Sequence, residues 1–528
     1  MLVKLGGLGI GYMIGTQIDI AIVPYITALL GYQIFSLGDD KEIDGEKKIS
    51  TYPPDNGSYP NLKKLHGNSI KWTKATYLLK KYTKKKKDVY INSFKYMDTS
   101  FDSYFSVLGG LIKNWIETIK LGINWEDFKK GSLIVGAMGQ GKTIFYINII
   151  TQFAKTNRRM IIHDTKGEYT ELFYRENKDF IINHLDGRGA YWDFYIDNDR
   201  GLAVSLVLDF FHAYFIAVAG DVADKYWSTM AAKRFEEYFN EIKINNEVAI
   251  DDKMEYFLIT ILEYFTIVKE SSNKTEQSIV ATLEASLDIF LKMLFMKKKH
   301  QKGEGDYKLF LFSDYFDKEN DSRIFLHSIE EVSRVNTPFI SAFISILYRI
   351  QLSITNPAPS SYILYALDEY LTFYSLLSQD LKKSLHTKSR STGALLLPGI
   401  QYLPRNEDDR KNLLSSIENL YYFAVTDPDT KKTFNNFIGQ VRFSRSNKRN
   451  KEKTEFREEK IELIDDNIIN TLPVGHHIAF YPKSNAALYV GYTLYEKLPK
   501  IADGYIRQGT RVENEFIIFK NTLPLDKS

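Results

Sequence analysis

Short apolar runs alternate with helical stretches through the middle of the chain. Four runs, at residues 133–135, 159–163, 362–367 and 393–397, have the length and composition of buried strands. The first is followed, at residues 143–153, by a segment of helical character. Apolar strands spaced by helices are typical of a parallel sheet. The pattern therefore predicts an α/β fold.

A long helical stretch interrupts this alternation. Residues 234–242, 253–268 and 278–296 carry apolar side chains at helical spacing and contain little Gly or Pro. We predict an all-α insert domain at residues 222–299, within an α/β domain built from residues 101–221 and 300–500. Residues 39–100 are predicted to be a linker and basic region, and residues 501–528 a C-terminal tail.

The first 38 residues differ from the rest because they are apolar and rich in glycine. A membrane-spanning helix needs about 20 apolar residues, and residues 20–35 with their flanks nearly reach that length. The lysines that follow suit a cytoplasmic side. We predict a membrane-prone segment at residues 1–38, with the bulk of the chain in the cytoplasm. A buried hydrophobic hairpin is the alternative.

Composition excludes several kinds of site. The chain has 528 residues, of which 44% are hydrophobic, and it contains no cysteine. Disulfides, zinc–thiolate sites and cysteine nucleophiles are therefore excluded. The net charge of +3 is too small to indicate nucleic-acid binding by itself.

A phosphate-binding loop follows the first predicted strand. Residues 136–143 read Gly-Ala-Met-Gly-Gln-Gly-Lys-Thr, which fits the P-loop pattern, and a helical segment comes next. Gly136, Gly139 and Gly141 let backbone N–H groups curl around a phosphate. Lys142 is predicted to reach the outer phosphates of ATP, and Thr143 to bind Mg²⁺.

Acidic and amide side chains follow two later strands. Asp368 and Glu369 come directly after the apolar run at residues 362–367, which is the Walker B arrangement. Asp368 is predicted to hold Mg²⁺, and Glu369 to polarise the attacking water. Gln401 follows the next strand and is predicted to contact the γ-phosphate or the water. Arg390, which precedes that strand, is a candidate arginine finger toward a neighbouring subunit; a surface charge is the alternative.

Further motifs resemble a known family, the hexameric type IV secretion coupling proteins of the TraD/TrwB/TraG group. Residues 164–168 read Asp-Thr-Lys-Gly-Glu, similar to the family's Asp-x-Lys-Gly-Glu element, and residues 183–193 resemble its Asn-Pro-Leu-Asp-x-Arg…Trp stretch. Tyr226-Trp227 resembles an aromatic pair that opens the family's helical insert. His66-Gly67-Asn68 with Trp72 resembles the family's His-Gly-Ser-x-x-Trp entry to the nucleotide-binding domain. The chain departs from the family pattern at His184, where proline is expected, and at Asn68, where serine is expected.

The resemblance implies a RecA-like nucleotide-binding domain and a homo-hexameric ring with a central channel. It also implies an ATPase at the bacterial inner membrane, with its ATPase domains in the cytoplasm. Such an ATPase would deliver DNA, single-stranded and without sequence preference, and attached protein to a type IV secretion channel. Its partners would be the DNA and the proteins of the relaxosome and secretion system.

Two other functions fit the same motifs. One is an FtsK/HerA-like DNA translocase, which would share the P-loop, the Asp-Glu pair and the glutamine. The other is a cargo-receptor ATPase that recruits protein substrates without moving DNA. Stimulation of ATP hydrolysis by DNA would distinguish this receptor from both kinds of motor.

Overall fold

A computed structural model describes residues 62–64, 71–72, 89–92, 120–123, 128–156, 158–219, 225–317, 321–330, 333–447, 455–462, 464, 466–470, 472–481, 487–492 and 498–523. The predicted membrane-prone segment, residues 1–38, lies outside these residues. Among the helices that are described, none has both the length and the apolar character needed to cross a bilayer. The chain divides into two compact units, one holding residues up to 67 and 442–460 and the other holding residues 68–441 and 461–528.

The strands of the described residues are short. In chain order they are β1 (Leu62–Lys64), β2 (Lys71–Trp72), β3 (Val89–Asn92), β4 (Lys120–Ile123), β5 (Ser132–Val135), β6 (Met160–Asp164), β7 (Phe180–Ile182), β8 (Ala190–Trp192), β9 (Lys308–Phe310), β10 (Arg323–His327), β11 (Ile363–Leu367), β12 (Ala394–Ile400), β13 (Asn419–Tyr422), β14 (Gln440–Asn447), β15 (Glu455–Glu462), β16 (His476–Tyr481) and β17 (Ala487–Tyr492).

Helices fill much of the remaining described sequence, with short 3₁₀ turns at Ile250–Asp252 and Pro359–Ser361. The helices are α1 (Lys142–Ala154), α2 (Glu168–Phe173), α3 (Phe194–Asp199), α4 (Val204–Ala219), α5 (Lys225–Ile244), α6 (Lys253–Glu270), α7 (Lys274–Gln301), α8 (Phe312–Asp317), α9 (Ser333–Ser353), α10 (Leu371–Tyr374), α11 (Gln379–Thr392), α12 (Glu407–Ser415), α13 (Pro428–Ile438), α14 (Asp466–Asn470) and α15 (Thr510–Thr522).

A ten-stranded sheet in the order β2-β17-β16-β13-β5-β12-β11-β6-β10-β7 forms the centre of the larger unit. From β13 to β7 every neighbouring pair is parallel, whereas β16 runs antiparallel to both of its neighbours. The predicted α/β fold with a mostly parallel sheet is confirmed. The four predicted strands are β5, β6, β11 and β12, and they lie side by side at the middle of the sheet.

Helices cover both faces of these central strands. All residues of β5, β11 and β12 are buried, which explains why each strand is a continuous apolar run. On one face, Phe145 and Ile149 of α1 pack into a core with Leu364 of β11. Tyr365 points to the opposite face, where its ring stacks on Tyr348 of α9 with the centroids 5.0 Å apart.

The helices α3 to α7 follow one another between β8 and β9. β8 and β9 pair in parallel as a separate two-stranded sheet, so the chain leaves and re-enters the α/β fold at adjacent strands. The three predicted helical segments lie within α5, α6 and α7. These helices belong to the same compact unit as the large sheet.

A buried histidine lies in the core beside the P-loop helix. His477 of β16 is fully buried, and its ring packs against Phe145, Tyr421 and Phe423. Neither ring nitrogen has a hydrogen-bond partner within the described residues. Burial lowers the pKa of His477 to about 3, so the ring is neutral in the folded protein. In the unfolded chain a histidine has a pKa of about 6.5.

This difference predicts an acid-sensitive contribution to stability. The contribution of neutral His477 is fully present above pH 6.5 and is lost as the pH falls from there toward 3, because only the unfolded state takes up the proton. The His477→Leu variant should therefore lose less stability than the wild type between pH 7.5 and pH 5.0. The expected difference is about 2 kcal/mol, measured as the free energy of unfolding in urea at each pH.

His476→Leu is the matched control. His476 is the neighbouring residue of the same strand, and water reaches part of its side chain. This variant should keep the pH dependence of the wild type. An equal loss of stability on acidification in the wild type and in His477→Leu would contradict the assignment.

Candidate functional site

The loop between β5 and α1 is anchored to three neighbouring strands. Gly136 N donates to Ile400 O of β12 at 3.0 Å, and a Cβ atom at Gly136 would lie 2.6 Å from Cβ of Phe423, which follows β13. Gly141 has a φ of +102°, and a Cβ atom there would lie 3.0 Å from Gly475 Cα, just before β16. A side chain at Gly136 or Gly141 would therefore push the loop out of place.

The Lys142 ammonium lies inside this loop. Its Nζ donates to Gly136 O at 2.8 Å and to Ala137 O at 3.2 Å, and an ammonium has a third hydrogen to donate. Burial lowers the pKa of Lys142, and the carboxylates of Asp368 and Glu369 oppose that shift. The charge of Lys166 lowers the pKa of Lys142 further. The charges of Lys142 and Lys166 therefore repel each other at the edge of the sheet where the P-loop lies.

Asp368 follows β11 and is almost fully buried. The Tyr169 hydroxyl donates to Asp368 Oδ2 at 2.8 Å, and the backbone N–H of Glu369 donates to Oδ1 at 3.0 Å. Burial raises the pKa of Asp368 to about 6, and the hydrogen bond from Tyr169 acts against this rise. These two hydrogen bonds fix the orientation of the Asp368 carboxylate, and each oxygen keeps a lone pair for a further partner.

Glu369 is held in an unusual backbone conformation. Its φ is +50°, in the left-handed region that residues other than glycine rarely adopt. The next N–H, of Tyr370, donates to Gly399 O at 2.9 Å, which ties this turn to β12. The Gln401 side chain donates from Nε2 to Glu369 Oε1 at 2.7 Å. The hydrogen bond from Gln401 therefore orients the Glu369 carboxylate, and the left-handed backbone at Glu369 is a form of strain that is common at functional sites.

The strand register explains why these groups meet. Leu367 lies opposite Pro398, and Ile400 lies opposite Val135. The residues that follow these strands, which are Asp368, Gln401 and Gly136, therefore emerge at one edge of the sheet. The structure thus brings together the predicted site residues Gly136, Gly139, Gly141, Lys142, Thr143, Asp368, Glu369 and Gln401.

Arg390 lies at the opposite edge of the sheet. It belongs to the last turn of α11, before β12 begins at Ala394. The seven residues of β12 separate it from Gln401, a span of about 20 Å. Arg390 Nη2 lies 2.7 Å from Glu418 Oε1, just before β13. The role of Arg390 toward a neighbouring subunit stays a prediction.

Sequence reasoning missed several residues that surround Asp368. Tyr169 comes directly after the Asp-Thr-Lys-Gly-Glu segment, and this position was the available signal. His163 Nδ1 contacts the backbone oxygen of Asp368, and His163 Nε2 lies 2.8 Å from Ser328 Oγ. Burial lowers the pKa of His163, so these partners are consistent with a neutral ring that carries its proton on Nδ1.

The donor set of the edge suits a hard cation beside phosphate. Within the described residues no group of three or more His, Cys, Asp or Glu side chains forms a metal cluster. Thr143 and Asp368 instead offer a hydroxyl and a carboxylate. Mg²⁺ is commonly held by one or two such protein oxygens together with phosphate oxygens. The residues present therefore fit Mg²⁺ bound together with a nucleotide.

Comparisons with solved structures show which fold this is. Three structures of the conjugative coupling protein TrwB align with the chain, each at 16% identity. The unbound bacterial protein gives a TM-score of 0.63 over 86% of this chain and 98% of that chain. The complex with the non-hydrolysable ATP analogue ADPNP gives 0.60 over 86% and 99%. The complex with ADP and Mg²⁺ gives 0.59 over 84% and 97%. The chain therefore has a TrwB-like α/β fold.

Sequence comparison gives the family. Among curated proteins, none matches this chain. Residues 116–458, more than half of the chain, match the model of the type IV secretion-system coupling protein DNA-binding domain. This range includes the P-loop, Asp368, Glu369 and Gln401. The chain therefore belongs to the type IV secretion-system coupling protein family.

Proposed function

We propose that this chain is an ATP-hydrolysing motor that works as a homo-hexamer and delivers DNA, with attached protein, to a type IV secretion channel. The observation that carries the proposal is the meeting of the P-loop with Asp368, Glu369 and Gln401 on three adjacent strands. The matched family model describes a DNA-binding domain, which supports DNA as the substrate. The TrwB complexes with ADPNP and with ADP and Mg²⁺ support ATP and Mg²⁺ as cofactors.

The loop and its lysine bind the phosphates in this proposal. Backbone N–H groups of residues 138–143 face the β-phosphate, and the third hydrogen of the Lys142 ammonium is donated to a γ-phosphate oxygen. Thr143 and Asp368 would hold Mg²⁺. When bound, Mg²⁺ neutralises charge on the phosphate oxygens.

Glu369 orients the water for hydrolysis. The water oxygen bonds to the γ-phosphorus, the bond from that phosphorus to the β,γ-bridging oxygen breaks, and Glu369 accepts the water proton. Gln401 fixes the Glu369 carboxylate through its hydrogen bond of 2.7 Å. Products are ADP and inorganic phosphate. Because Gln401 directly follows β12, its position responds to any movement of β12 against β11.

Membership of the family supports the proposed assembly and location. In this proposal six copies surround a channel whose Lys and Arg side chains contact DNA phosphates, without sequence preference and with strong dependence on salt. The ATPase portion faces the cytoplasm at the bacterial inner membrane, and relaxosome and secretion proteins are the partners.

The proposed motor predicts how the full-length chain hydrolyses ATP. Single-stranded DNA should raise the rate, and the stimulation should weaken as salt increases. Glu369→Gln should lower kcat by about 10²- to 10⁴-fold, because it removes the group that accepts the proton. Lys142→Ala should abolish turnover. The measurement is phosphate release with and without single-stranded DNA, at low and moderate salt.

Glu407→Gln is the matched control, because Glu407 is an exposed residue of α12 whose partner is Lys411. It should keep wild-type activity. Hydrolysis that DNA does not change at either salt concentration would contradict the motor and favour the cargo-receptor ATPase. A wild-type chain that is as inactive as Lys142→Ala would contradict the proposal altogether.

Another prediction tests whether Arg390 acts in a neighbouring subunit or only through its ion pair with Glu418 in its own subunit. If Arg390 stabilises transition-state charge in a neighbouring subunit, Arg390→Ala should lower kcat by about 10³-fold. Glu418→Gln removes the same ion pair but should leave kcat within about twofold. Mixing Arg390→Ala with Glu369→Gln subunits should restore activity, because some interfaces then combine an intact Arg390 with an intact Glu369. Equal activity of Arg390→Ala and Glu418→Gln would show that Arg390 acts only within its own subunit.

A further inference from the structure

A segment near the end of the described chain crosses the start of α2. We call residues 498–509 the C-terminal strap. The backbone N–H groups of Ile501 and Ala502 donate to Glu171 O at 2.8 and 3.2 Å. Gly504 lies against Gly167, where a Cβ atom on Gly504 would come within 2.7 Å of the Gly167 carbonyl oxygen. The strap and the start of α2 therefore touch backbone to backbone at Gly504 and Gly167.

A second set of contacts fixes the strap to the turn after β7. Arg188 forms a bidentate pair with Asp186, and its Nη1 donates to Asp503 O at 2.8 Å. Gly187 N donates to Ile506 O at 2.8 Å, and Ile506 N donates to Asp186 Oδ2 at 3.2 Å. Asp186 and Arg188 are both buried. The strap supplies further hydrogen-bond partners to this buried pair, at Asp503 O and Ile506 N, so its displacement would leave buried polar groups without these partners.

The start of α2 is fixed from the sheet side as well. Thr170 donates to Asp164 Oδ2 from its N and from its Oγ1, both at 2.8 Å, and Gly167 N donates to Oδ1 at 2.7 Å. Asp164 is the last residue of β6. The helix is thus held between the end of β6 and the strap.

Tyr169 of α2 points to Asp368 from this fixed position. Its ring is buried beside Tyr146 of α1, with the centroids 6.0 Å apart, and its hydroxyl donates to Asp368 Oδ2 at 2.8 Å. A carboxylate that holds a metal needs its lone pairs aimed in one direction, and a hydrogen bond to its second oxygen fixes that aim. Any displacement of α2 therefore changes the direction of the Asp368 carboxylate.

Beyond the strap the chain continues into α15, which packs on α7. Glu515 pairs with Lys299 at 2.7 Å, and the rings of Phe516 and Phe295 have centroids 5.6 Å apart. The strap therefore joins the helical stretch between β8 and β9 to the helix that orients Asp368.

We propose that Tyr169 is a positioning residue for Asp368 and that the C-terminal strap holds Tyr169 in place. The inference rests on the proposed function, because it takes Asp368 as the ligand of nucleotide-bound Mg²⁺. It adds a connection from the last helix of the described chain to that ligand.

The test measures ADP binding by the full-length chain, with and without Mg²⁺, by calorimetry. Tyr169→Phe keeps the ring and removes the hydroxyl. It should weaken the affinity for Mg²⁺ in the presence of ADP by about 10- to 100-fold, the loss typical when a partner of a metal ligand is removed. The affinity for ADP without Mg²⁺ should stay at the wild-type value, which also shows that the variant is folded.

Gly504→Ala tests the strap, and Gly509→Ala is its matched control. A Cβ atom at Gly504 would collide with backbone, whereas one at Gly509 meets nothing within 4 Å. Gly504→Ala should weaken Mg²⁺ binding as Tyr169→Phe does, and Gly509→Ala should have no effect. Because both changes act through one hydrogen bond, the double variant Tyr169→Phe with Gly504→Ala should be no weaker than Tyr169→Phe alone.

Each contrary result has its own meaning. Wild-type Mg²⁺ affinity in Tyr169→Phe would overturn the role of Tyr169. A loss in Tyr169→Phe without any loss in Gly504→Ala, or fully additive losses in the double variant, would overturn the role of the strap. A wild-type chain that binds no ADP in either condition would contradict the proposed function, and this inference with it.

Discussion

Asp368 places a carboxylate at the end of a fully buried strand, where water reaches 7% of the residue. A charge in that position must be compensated by hydrogen bonds or by opposite charge, since burial alone is very unfavourable. The Tyr169 hydroxyl, the Glu369 backbone N–H and the nearby Lys142 ammonium provide that compensation. The P-loop, α2 and the turn after β11 must therefore keep fixed positions around one carboxyl group. The register of the parallel strands supplies those positions, because it brings the ends of β5, β12, β11 and β6 to one edge of the sheet.

Hydrogen bonds also fix the positions of residues that lie farther from Asp368. Thr170 Oγ1 donates to Asp164 and lies 2.7 Å from His327 Nε2, at the end of β10. His327 Nδ1 lies 4.0 Å from Asp186 Oδ2, and Asp186 binds the strap. Buried hydrogen-bonded groups of this kind tolerate little displacement because an unpaired member is costly. Hydrogen bonds therefore connect the end of β6 and the start of α2 to the end of β10.

The sequence predicted the central strands and the P-loop well, for a physical reason. β5, β11 and β12 are buried on both faces, so their apolar runs are continuous and easily recognised. β10 was not predicted, although its sequence, Arg-Ile-Phe-Leu-His, has the same pattern as the predicted strand at residues 159–163. Tyr169 was missed because its meeting with Asp368 depends on β6 and β11 being neighbours. Local pattern does not encode that pairing. The strap has no periodicity, and its contacts are mostly to backbone, so no residue type marks it.

The contact between Gly167 and Gly504 also bears on how the protein is made. Gly167 leaves the ribosome before Gly504, which lies 337 residues further along the chain. A nascent chain folds from its N-terminal end as it emerges. The P-loop and the central strands can thus assemble before the strap exists, and the cover over α2 is added only after residues 498–509 have emerged. Completion of the nucleotide edge is in this way tied to synthesis of the strap, and a chain released before residue 498 lacks that cover.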